Sequence, residues 1–202
     1  MNPTLTLTYL LVAALLTNVV LKLWLNARQV RHVASHRSEV PSAFASQITL
    51  ADHQKAADYT LAKAKVSQID ILIDAAVLVG WTLLGGLSAL NALVLEFMLP
   101  GLWQQVVLVL CFTLIGGLLD LPLSLYQTFV LEQKFGFNKM TWSLWLSDAA
   151  KGLVLGLVLG VPLIALILWL MQVGGVYWWL WTWCALVFWQ LFFNWLHWLP
   201  SS

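Results

Sequence analysis

Long runs of apolar residues constrain this chain more than any other feature of its sequence. Charged residues make up only 9% of the chain, too few to cover a surface that faces water. A helix of about 20 apolar residues crosses the hydrocarbon core of a bilayer. We therefore predict an all-α membrane protein with five transmembrane helices. The predicted spans cover about residues 5–25, 69–95, 103–120, 152–171 and 176–199.

The positions of the basic residues predict the orientation of these spans. All ten Lys and Arg residues lie in or near two long segments, about residues 26–68 and 121–151, and the two short loops carry none. Basic residues concentrate in cytoplasmic loops. We therefore expect both long segments in the cytoplasm, the amino terminus outside and the carboxyl terminus inside. Residues 1–202 then form a single membrane domain.

Local signals predict where some helices begin, bend and pack. Thr49 and Asp52 have the spacing of a capping box, which predicts a helix from near Leu50 that continues into the second span. The pair Gly85-Gly86 predicts a bend in that span or close packing on a neighbour. An aromatic stripe along the fifth span is equally compatible with lipid contact and with helix packing.

A repeat of glycines in the fourth span predicts close approach of another helix. The spacing of four residues places all three on one helix face, where the absence of side chains lets backbones come together. Pro162 follows directly and predicts a kink. The glycines of this stripe are Gly152, Gly156 and Gly160.

The histidines do not form a convincing zinc site. His32 and His36 are four residues apart, so they would share a helix face. A zincin helix needs a Glu directly after the first His, and Val33 occupies that position. Asp52 and His53 add ligand types without a fixed geometry. We expect neither a metal site nor a catalytic residue in this chain.

Two carboxylates at the start of the second span leave two interpretations open. Asp70 and Asp74 are one turn apart and could serve as an acid/base or ion-coordinating pair within the membrane. They also lie close to the basic segment 26–68, where water reaches them, and this position favours a solvated helix entrance. Because membrane topology explains the basic residues, we expect no nucleic-acid partner.

The segment 121–151 is longer and more aromatic than a simple connector requires. We expect a helix to about Glu132, a turn at Gly136-Phe-Asn138, and a cap by Asn138 or Thr141 on the next helix. Its charged residues either form interfacial ion pairs or hold the segment against a catalytic domain or a substrate entry. These charged residues are Glu132, Lys134, Lys139, Asp148 and Lys151.

The run from Leu121 to Thr141, LPLSLYQTFVLEQKFGFNKMT, resembles the signature of the type I CAAX prenyl proteases, integral-membrane zinc metalloendopeptidases of the Ste type. The stretches at residues 28–32 and 55–59, with Pro41 between them, are also similar to this family. The residues that carry the signature are our candidates for domain docking: Pro122, Tyr126, Phe129, Glu132, Phe135, Gly136, Phe137, Asn138, Thr141, Asp148 and Lys151.

The resemblance implies a membrane domain that precedes a catalytic zinc domain. In the family, helices enclose a water-filled chamber, and an H-E-x-x-H motif with a later Glu holds zinc on the cytoplasmic side. The 202 residues contain no H-E-x-x-H. We therefore expect a fragment or a stand-alone amino-terminal domain that cleaves no peptide by itself. Zinc is expected only in the full-length family member.

The resemblance also implies the partners of this chain. We expect it to hold or admit membrane-associated protein substrates, in contact with the lipid bilayer and with a catalytic metallopeptidase domain. The alternative is a non-enzymatic membrane module that binds a partner protein or a lipid. We expect an integral membrane protein of the bacterial inner (plasma) membrane.

Overall fold

The computed structural model describes residues 3–44 and 46–198, and helices dominate this part of the chain. No strand occurs among these residues, which confirms the all-α prediction. Short 3₁₀ turns lie at Ser42–Phe44 and Gly175–Tyr177, and a π-helix at Gln127–Glu132. The six α-helices are α1 (Pro3–Ser35), α2 (Leu50–Thr82), α3 (Gly86–Phe97), α4 (Leu102–Tyr126), α5 (Trp142–Val173) and α6 (Trp178–Trp198).

Helix α2 begins where the capping signal predicts. The backbone N–H of Asp52 donates to Thr49 Oγ1 at 3.2 Å, and the Thr49 hydroxyl donates to Asp52 Oδ2 at 2.6 Å. This cap satisfies a donor that the first turn would otherwise leave unpaired. From there α2 continues for 33 residues to Thr82. The predicted continuous helix from the basic segment into the second span is therefore confirmed.

The second predicted span is a bent pair of helices. Gly85 adopts a φ of +80°, which is accessible to glycine at little cost, and α2 and α3 meet there at 55°. A Cβ on Gly86 would lie only 2.7 Å from the carbonyl oxygen of Gly80. The predicted bend is therefore confirmed, whereas the tight contact of Gly86 is with the last turns of α2 and not with a neighbouring helix.

The helix that carries the third span continues well beyond it. Helix α4 passes through Pro122 and ends at Tyr126, where the π-helix Gln127–Glu132 takes over. This confirms a helix up to Glu132, although its final turns are wider than those of an α-helix. Helix α5 then begins at Trp142, directly after Thr141.

Three helices within the described residues are long and apolar enough to cross a membrane, and a fourth crossing results if the bent pair α2–α3 counts as one span. The three are α1, α5, and α4 together with the π-helix. Helix α6 is not among them. Its apolar surface comes largely from Trp rings, whose polar N–H favours the membrane interface.

The exposure of apolar side chains indicates a membrane environment. In α5, none of its 32 residues is buried, and Leu155 and Val158 are 58% and 62% exposed. Apolar surface of this extent is not stable against water but is stable against lipid. The chain is therefore an integral membrane protein.

The chain forms two compact units. The first comprises Met1–Leu87 and Gly117–Thr141, and in it both α1 and the π-helix pack against α2. The second comprises Ser88–Gly116 and Trp142–Ser202, and in it α5 packs against α6. In the second unit the side-chain amide of Gln104 donates to Asn91 Oδ1 at 2.8 Å.

Candidate functional site

We call the segment 121–151 the connector. Its Phe-Gly-Phe-Asn turn, at residues 135–138, folds against α2. Tyr59 of α2 meets the rings of Phe135 and Phe137 edge-on, with centroids 5.5 and 4.9 Å apart. Gly136 between them has a φ of +73°, a left-handed conformation that side chains with a Cβ rarely adopt. This turn brings both phenylalanines onto one tyrosine. Aromatic pairs in this geometry contribute about 0.5–1.5 kcal/mol each beyond their burial.

Backbone hydrogen bonds hold the turn closed. The N–H groups of Phe137 and Asn138 both donate to the carbonyl oxygen of Glu132, at 2.9 and 3.3 Å. The Asn138 side chain accepts the N–H of Met140 at 2.6 Å. Leu131 is only 6% exposed and anchors the π-helix that precedes the turn. These contacts give the connector a defined structure next to α2, and we refer to this ordered part of the connector as the platform.

Three lysines surround this aromatic core. Lys55 Nζ lies 5.3 Å from the centroid of the Phe137 ring, Lys63 Nζ 5.8 Å from that of Tyr59, and Lys134 Nζ 5.9 Å from that of Phe135. A cation at this distance is attracted by the negative face of an aromatic ring. We call this group the cationic aromatic cluster; its members are Lys55, Tyr59, Lys63, Lys134, Phe135 and Phe137.

Two contacts fix the end of α1 and the residues after it to the start of α2. Arg37 forms a bidentate ion pair with Asp58, with N–O distances of 2.7 and 2.8 Å. The hydrogen bond from Arg37 and its positive charge lower the pKa of the Asp58 carboxyl below its ordinary value, and Asp58 raises the pKa of Arg37. The ring of His53 bonds through Nε2 to the carbonyl oxygen of His36 at 2.9 Å.

A buried amide joins α1 to α2 closer to the membrane. Asn26 is 8% exposed, and its Nδ2 donates to the carbonyl oxygen of Ala64 at 3.1 Å. Its Oδ1 accepts from Gln68 Nε2 at 2.9 Å. Since an unpaired buried amide is costly, these bonds fix the register of the two helices.

The structure brings together only part of the predicted signature. Phe135, Gly136, Phe137, Asn138 and the carbonyl of Glu132 form the turn on α2. Pro122 and Tyr126 lie in α4, and Phe129 lies in the π-helix. Thr141 precedes α5, in which Lys151 pairs with Asp148 at 3.5 Å in the second unit. The role of these residues in docking stays a prediction.

Sequence reasoning did not assign the α2 half of this site. Lys55, Tyr59 and Lys63 are four residues apart, so they follow one face of α2. That spacing is visible in the sequence, and residues 55–59 are part of the family resemblance. What the sequence does not show is that this helix face meets the connector, which lies more than 70 residues further along the chain.

The carboxylates of the second span face open space. Asp70 and Asp74 line a hollow of about 310 Å³ together with Asp120, Ser124 and Gln127. Asp74 is exposed, and Asp70 is half-buried. Lys22 lines a neighbouring hollow with both carboxylates. This arrangement is compatible with the solvated helix entrance, and an acid/base role stays a prediction.

The residues present do not fit zinc. The rings of His32 and His36 lie 4.3 Å apart, but His36 Nδ1 is 2.8 Å from the carbonyl oxygen of His32. Among residues 3–44 and 46–198, no group of three or more His, Cys, Asp or Glu side chains is arranged to hold a metal ion. A zinc site needs at least three protein ligands.

The predicted glycine stripe has no neighbour in the described part of the chain. A Cβ on Gly152, Gly156 or Gly160 would meet no heavy atom within 4 Å. Helix α5 nevertheless packs against α6, through another part of its surface. Close packing on this stripe therefore stays a prediction about a helix beyond these residues.

These features define a class: a helical integral-membrane protein with a helical platform outside its apolar spans. The sequence profile of the family described as CAAX prenyl protease N-terminal, five membrane helices, matches residues 29–197. The chain belongs to this family, whose members are zinc metallopeptidases. The family description agrees with the prediction of five membrane helices.

Individual relatives agree with this assignment. The chain is 33% identical over 155 residues to CAAX prenyl protease 1 of Saccharomyces cerevisiae, a match covering 72% of this chain and 34% of that protein. A homologue from rice is 52% identical over 58 residues, covering 29% of this chain and 14% of its own length. The crystal structure of S. mikatae Ste24p is similar with a TM-score of 0.81 at 25% identity, covering 89% of this chain and 43% of that one.

Two facts about these relatives limit what they imply. The chain spans about a third of the length of the yeast protein and less than half of the solved structure. The relatives named here come from eukaryotes, so they do not support the predicted bacterial inner membrane. Integral membrane location itself agrees with the family description and the apolar helices.

Proposed function

We propose that this chain is the membrane domain of a zinc metallopeptidase related to the CAAX prenyl proteases, and that it holds or admits membrane-associated protein substrates. The ordered connector is the main observation in favour. A loop that only joined two spans would need neither three aromatic rings in edge-on contact nor a left-handed glycine. An ordered platform beside the spans is suited to carrying another domain.

We further propose the orientation and the single-domain organisation expected from the sequence. Both basic segments, about residues 26–68 and 121–151, lie in the cytoplasm, so the platform and the carboxyl terminus share one side. The charge distribution supports this orientation, because the short loops between the other spans contain no Lys or Arg. The docking candidates of the connector would then face a cytoplasmic catalytic domain.

The catalytic step belongs, in this proposal, to a part of the family that this chain does not match. The family supplies zinc chemistry, whereas the described residues offer no fitting ligand set. The proposed role of this chain is to position substrate and catalytic domain at the membrane. Its own partners are the bilayer, that domain and the substrate.

Affinity purification tests this proposal. The tagged chain is expressed in its host, extracted in mild detergent and analysed by mass spectrometry. We expect an H-E-x-x-H sequence in the recovered material, on the same polypeptide or on one that co-purifies, and zinc-dependent cleavage of a prenylated CAAX peptide by that material. The purified 202-residue chain alone should not cleave it.

Two results would contradict the proposal in different ways. Zinc-dependent cleavage by the chain alone would show that it contains a catalytic site. Consistent absence of an H-E-x-x-H sequence, both from the polypeptide that carries this chain and from its co-purifying partners, would favour the alternative, a non-enzymatic module that binds a partner protein or a lipid.

A further inference from the structure

We infer that the cationic aromatic cluster is an electrostatic docking site for an acidic surface of the catalytic metallopeptidase part. This inference rests on the proposed function and specifies which residues make the contact. Its starting point is charge: Lys55, Lys63 and Lys134 are all exposed, and no ion pair to any of them occurs in the described residues. Asp58 does not pair with these lysines, because its carboxylate forms an ion pair with Arg37.

The three ammonium groups surround one continuous group of rings. Tyr59 contacts both phenylalanines, and each ring has one lysine within 6 Å of its centroid. The attraction between each ammonium group and its ring limits the freedom of the lysine side chain, so less entropy is lost when a carboxylate binds. Aromatic side chains are enriched at protein interfaces, and the half-exposed rings of this cluster supply such surface.

Distance from the membrane favours a protein partner over lipid headgroups. Lys63 and Lys55 precede the predicted span at Ile69 by 6 and 14 residues, which corresponds to roughly 9 and 21 Å of helix. On the connector, the helix continues 12 residues beyond Asp120, or roughly 18 Å. The headgroup layer is only about 5–8 Å thick on each side. Most of the cluster therefore stands clear of it.

Two facts identify the occupant as the catalytic part. The matched region is only 34% of the yeast relative and 43% of the solved relative, so the larger part of each lies outside this region. The three lysines lack a carboxylate partner within the described residues, and an acidic face on that larger part would supply it. Charge complementarity of this kind fixes the orientation of docking.

The test compares two charge-matched triple variants of this chain in binding to the H-E-x-x-H part identified by affinity purification, which is produced as a separate polypeptide. One variant carries Lys55→Gln, Lys63→Gln and Lys134→Gln. The control carries Arg31→Gln, Lys65→Gln and Lys139→Gln, which remove the same charge outside the cluster. We expect the cluster variant to raise the dissociation constant by roughly 10-fold or more, and the control by less than roughly 3-fold.

Carbodiimide cross-linking, which joins amines to carboxylates, locates the contact in the wild-type complex. We expect Lys55, Lys63 or Lys134 to be joined to acidic residues of the H-E-x-x-H polypeptide. Equal effects of the two triple variants, or cross-links only at Lys65 and Lys139, would overturn the inference. So would a cluster variant that binds normally but retains fewer phosphatidylserine molecules in native mass spectrometry, because the surface would then bind lipid.

The two levels of the proposal fail in distinguishable ways. If no H-E-x-x-H sequence is found, on the same polypeptide as this chain or bound to it, the proposed function is wrong. If the H-E-x-x-H part binds the wild-type chain and the cluster variant equally well, the proposed function stands and only the inferred docking site is wrong. Aromatic fluorescence and elution volume of both variants verify that they fold.

Discussion

At the scale of single residues, Gly136 determines the shape of the connector. Its φ of +73° is left-handed, a conformation that costs a residue with a Cβ roughly 1–2 kcal/mol. The space around it is not tight, since a Cβ would have Lys55 Nζ as its nearest neighbour at 3.6 Å. The cost of a substitution therefore comes from the backbone.

We predict that Gly136→Ala lowers the stability of the detergent-solubilised chain by roughly 1 kcal/mol and increases hydrogen exchange at residues 133–141. The control is Gly101→Ala, at a glycine with no left-handed φ and no heavy atom within 4 Å of an added Cβ. Equal stability of the two variants would show that the turn does not depend on a left-handed residue.

The ion pair between Arg37 and Asp58 predicts a pH dependence. The folded pKa of Asp58 lies below its ordinary value of about 3.8, so the pair contributes stability above that pH, which is lost as the pH falls through the folded pKa. We predict that Asp58→Asn lowers the apparent melting temperature modestly at pH 7 and has a vanishing effect at low pH.

Thermal unfolding of both proteins from pH 7 to pH 3 measures this difference. The control is Asp52→Asn, a carboxylate of the same helix that accepts a hydrogen bond from the Thr49 hydroxyl and has no Arg partner among the described residues. A difference between Asp58→Asn and wild type that persists unchanged to the lowest pH would contradict the prediction.

Some residue roles are predictable from sequence because their partners are local. The Thr49 cap acts on a residue three positions away, and Gly85 acts on its own backbone. Tyr59, by contrast, contacts residues more than 70 positions later, and no local pattern specifies that contact. The signature half of the site could thus be found from the sequence, and the α2 half could not.

At the scale of elements, apolar runs predict the helices because length and hydropathy are properties of each segment alone. The π-helix at Gln127–Glu132 is different. In a π-helix the backbone hydrogen bonds join residues five apart instead of four. Six residues are too few for that change to leave a recognisable periodicity in the sequence. Helix α6 is a different case. The sequence predicts a span there from its long aromatic and aliphatic run, but its mean hydropathy is too low for the helix to count among the candidate spans.

The glycine stripe of α5 gives a prediction at this scale. Because an added Cβ at Gly156 meets nothing within 4 Å, we predict that Gly156→Ala stabilises the isolated chain by up to about 1 kcal/mol through helix propensity. If a partner helix packs on the stripe, Gly156→Leu should weaken its association. Thermal unfolding of the isolated chain and of the complex separates the two effects.

A control on the same helix is available for this measurement. Ala149→Gly removes a methyl group from an exposed position of α5 and should cost a similar amount of helix propensity. A loss of stability in isolated Gly156→Ala would mean that a neighbour already occupies the stripe.

At the scale of the whole molecule, the sequence predicts the membrane class, which the structure confirms, because this class depends on composition and segment length; the exact bounds of the five spans stay a prediction. Which helices pack into which compact unit is not predictable in the same way. The first unit joins residues 1–87 to residues 117–141 through side-chain contacts between segments distant in sequence. Contacts of this kind depend on how the side chains of two segments fit together, and the hydropathy of each segment does not predict that fit.

Orientation is the whole-molecule property that we test directly. In a background with Cys111→Ala and Cys184→Ala, we predict that Ser38→Cys is protected from a membrane-impermeant maleimide in intact cells and is labelled after permeabilisation. Gln172→Cys, at the end of α5 that this orientation places outside, should be labelled in intact cells. The reverse pattern would show that the basic segments lie outside.

The unbroken length of α2 has a mechanical consequence. Its 33 residues form a rigid lever about 50 Å long, with its apolar end in the bilayer and Tyr59 near the other end. Helices tilt to match the thickness of the bilayer. A tilt of about 10° around Thr82 would displace Tyr59 by roughly 6 Å. Most of this displacement is parallel to the membrane surface, so the thickness of the surrounding membrane would shift the lateral position at which the connector is presented.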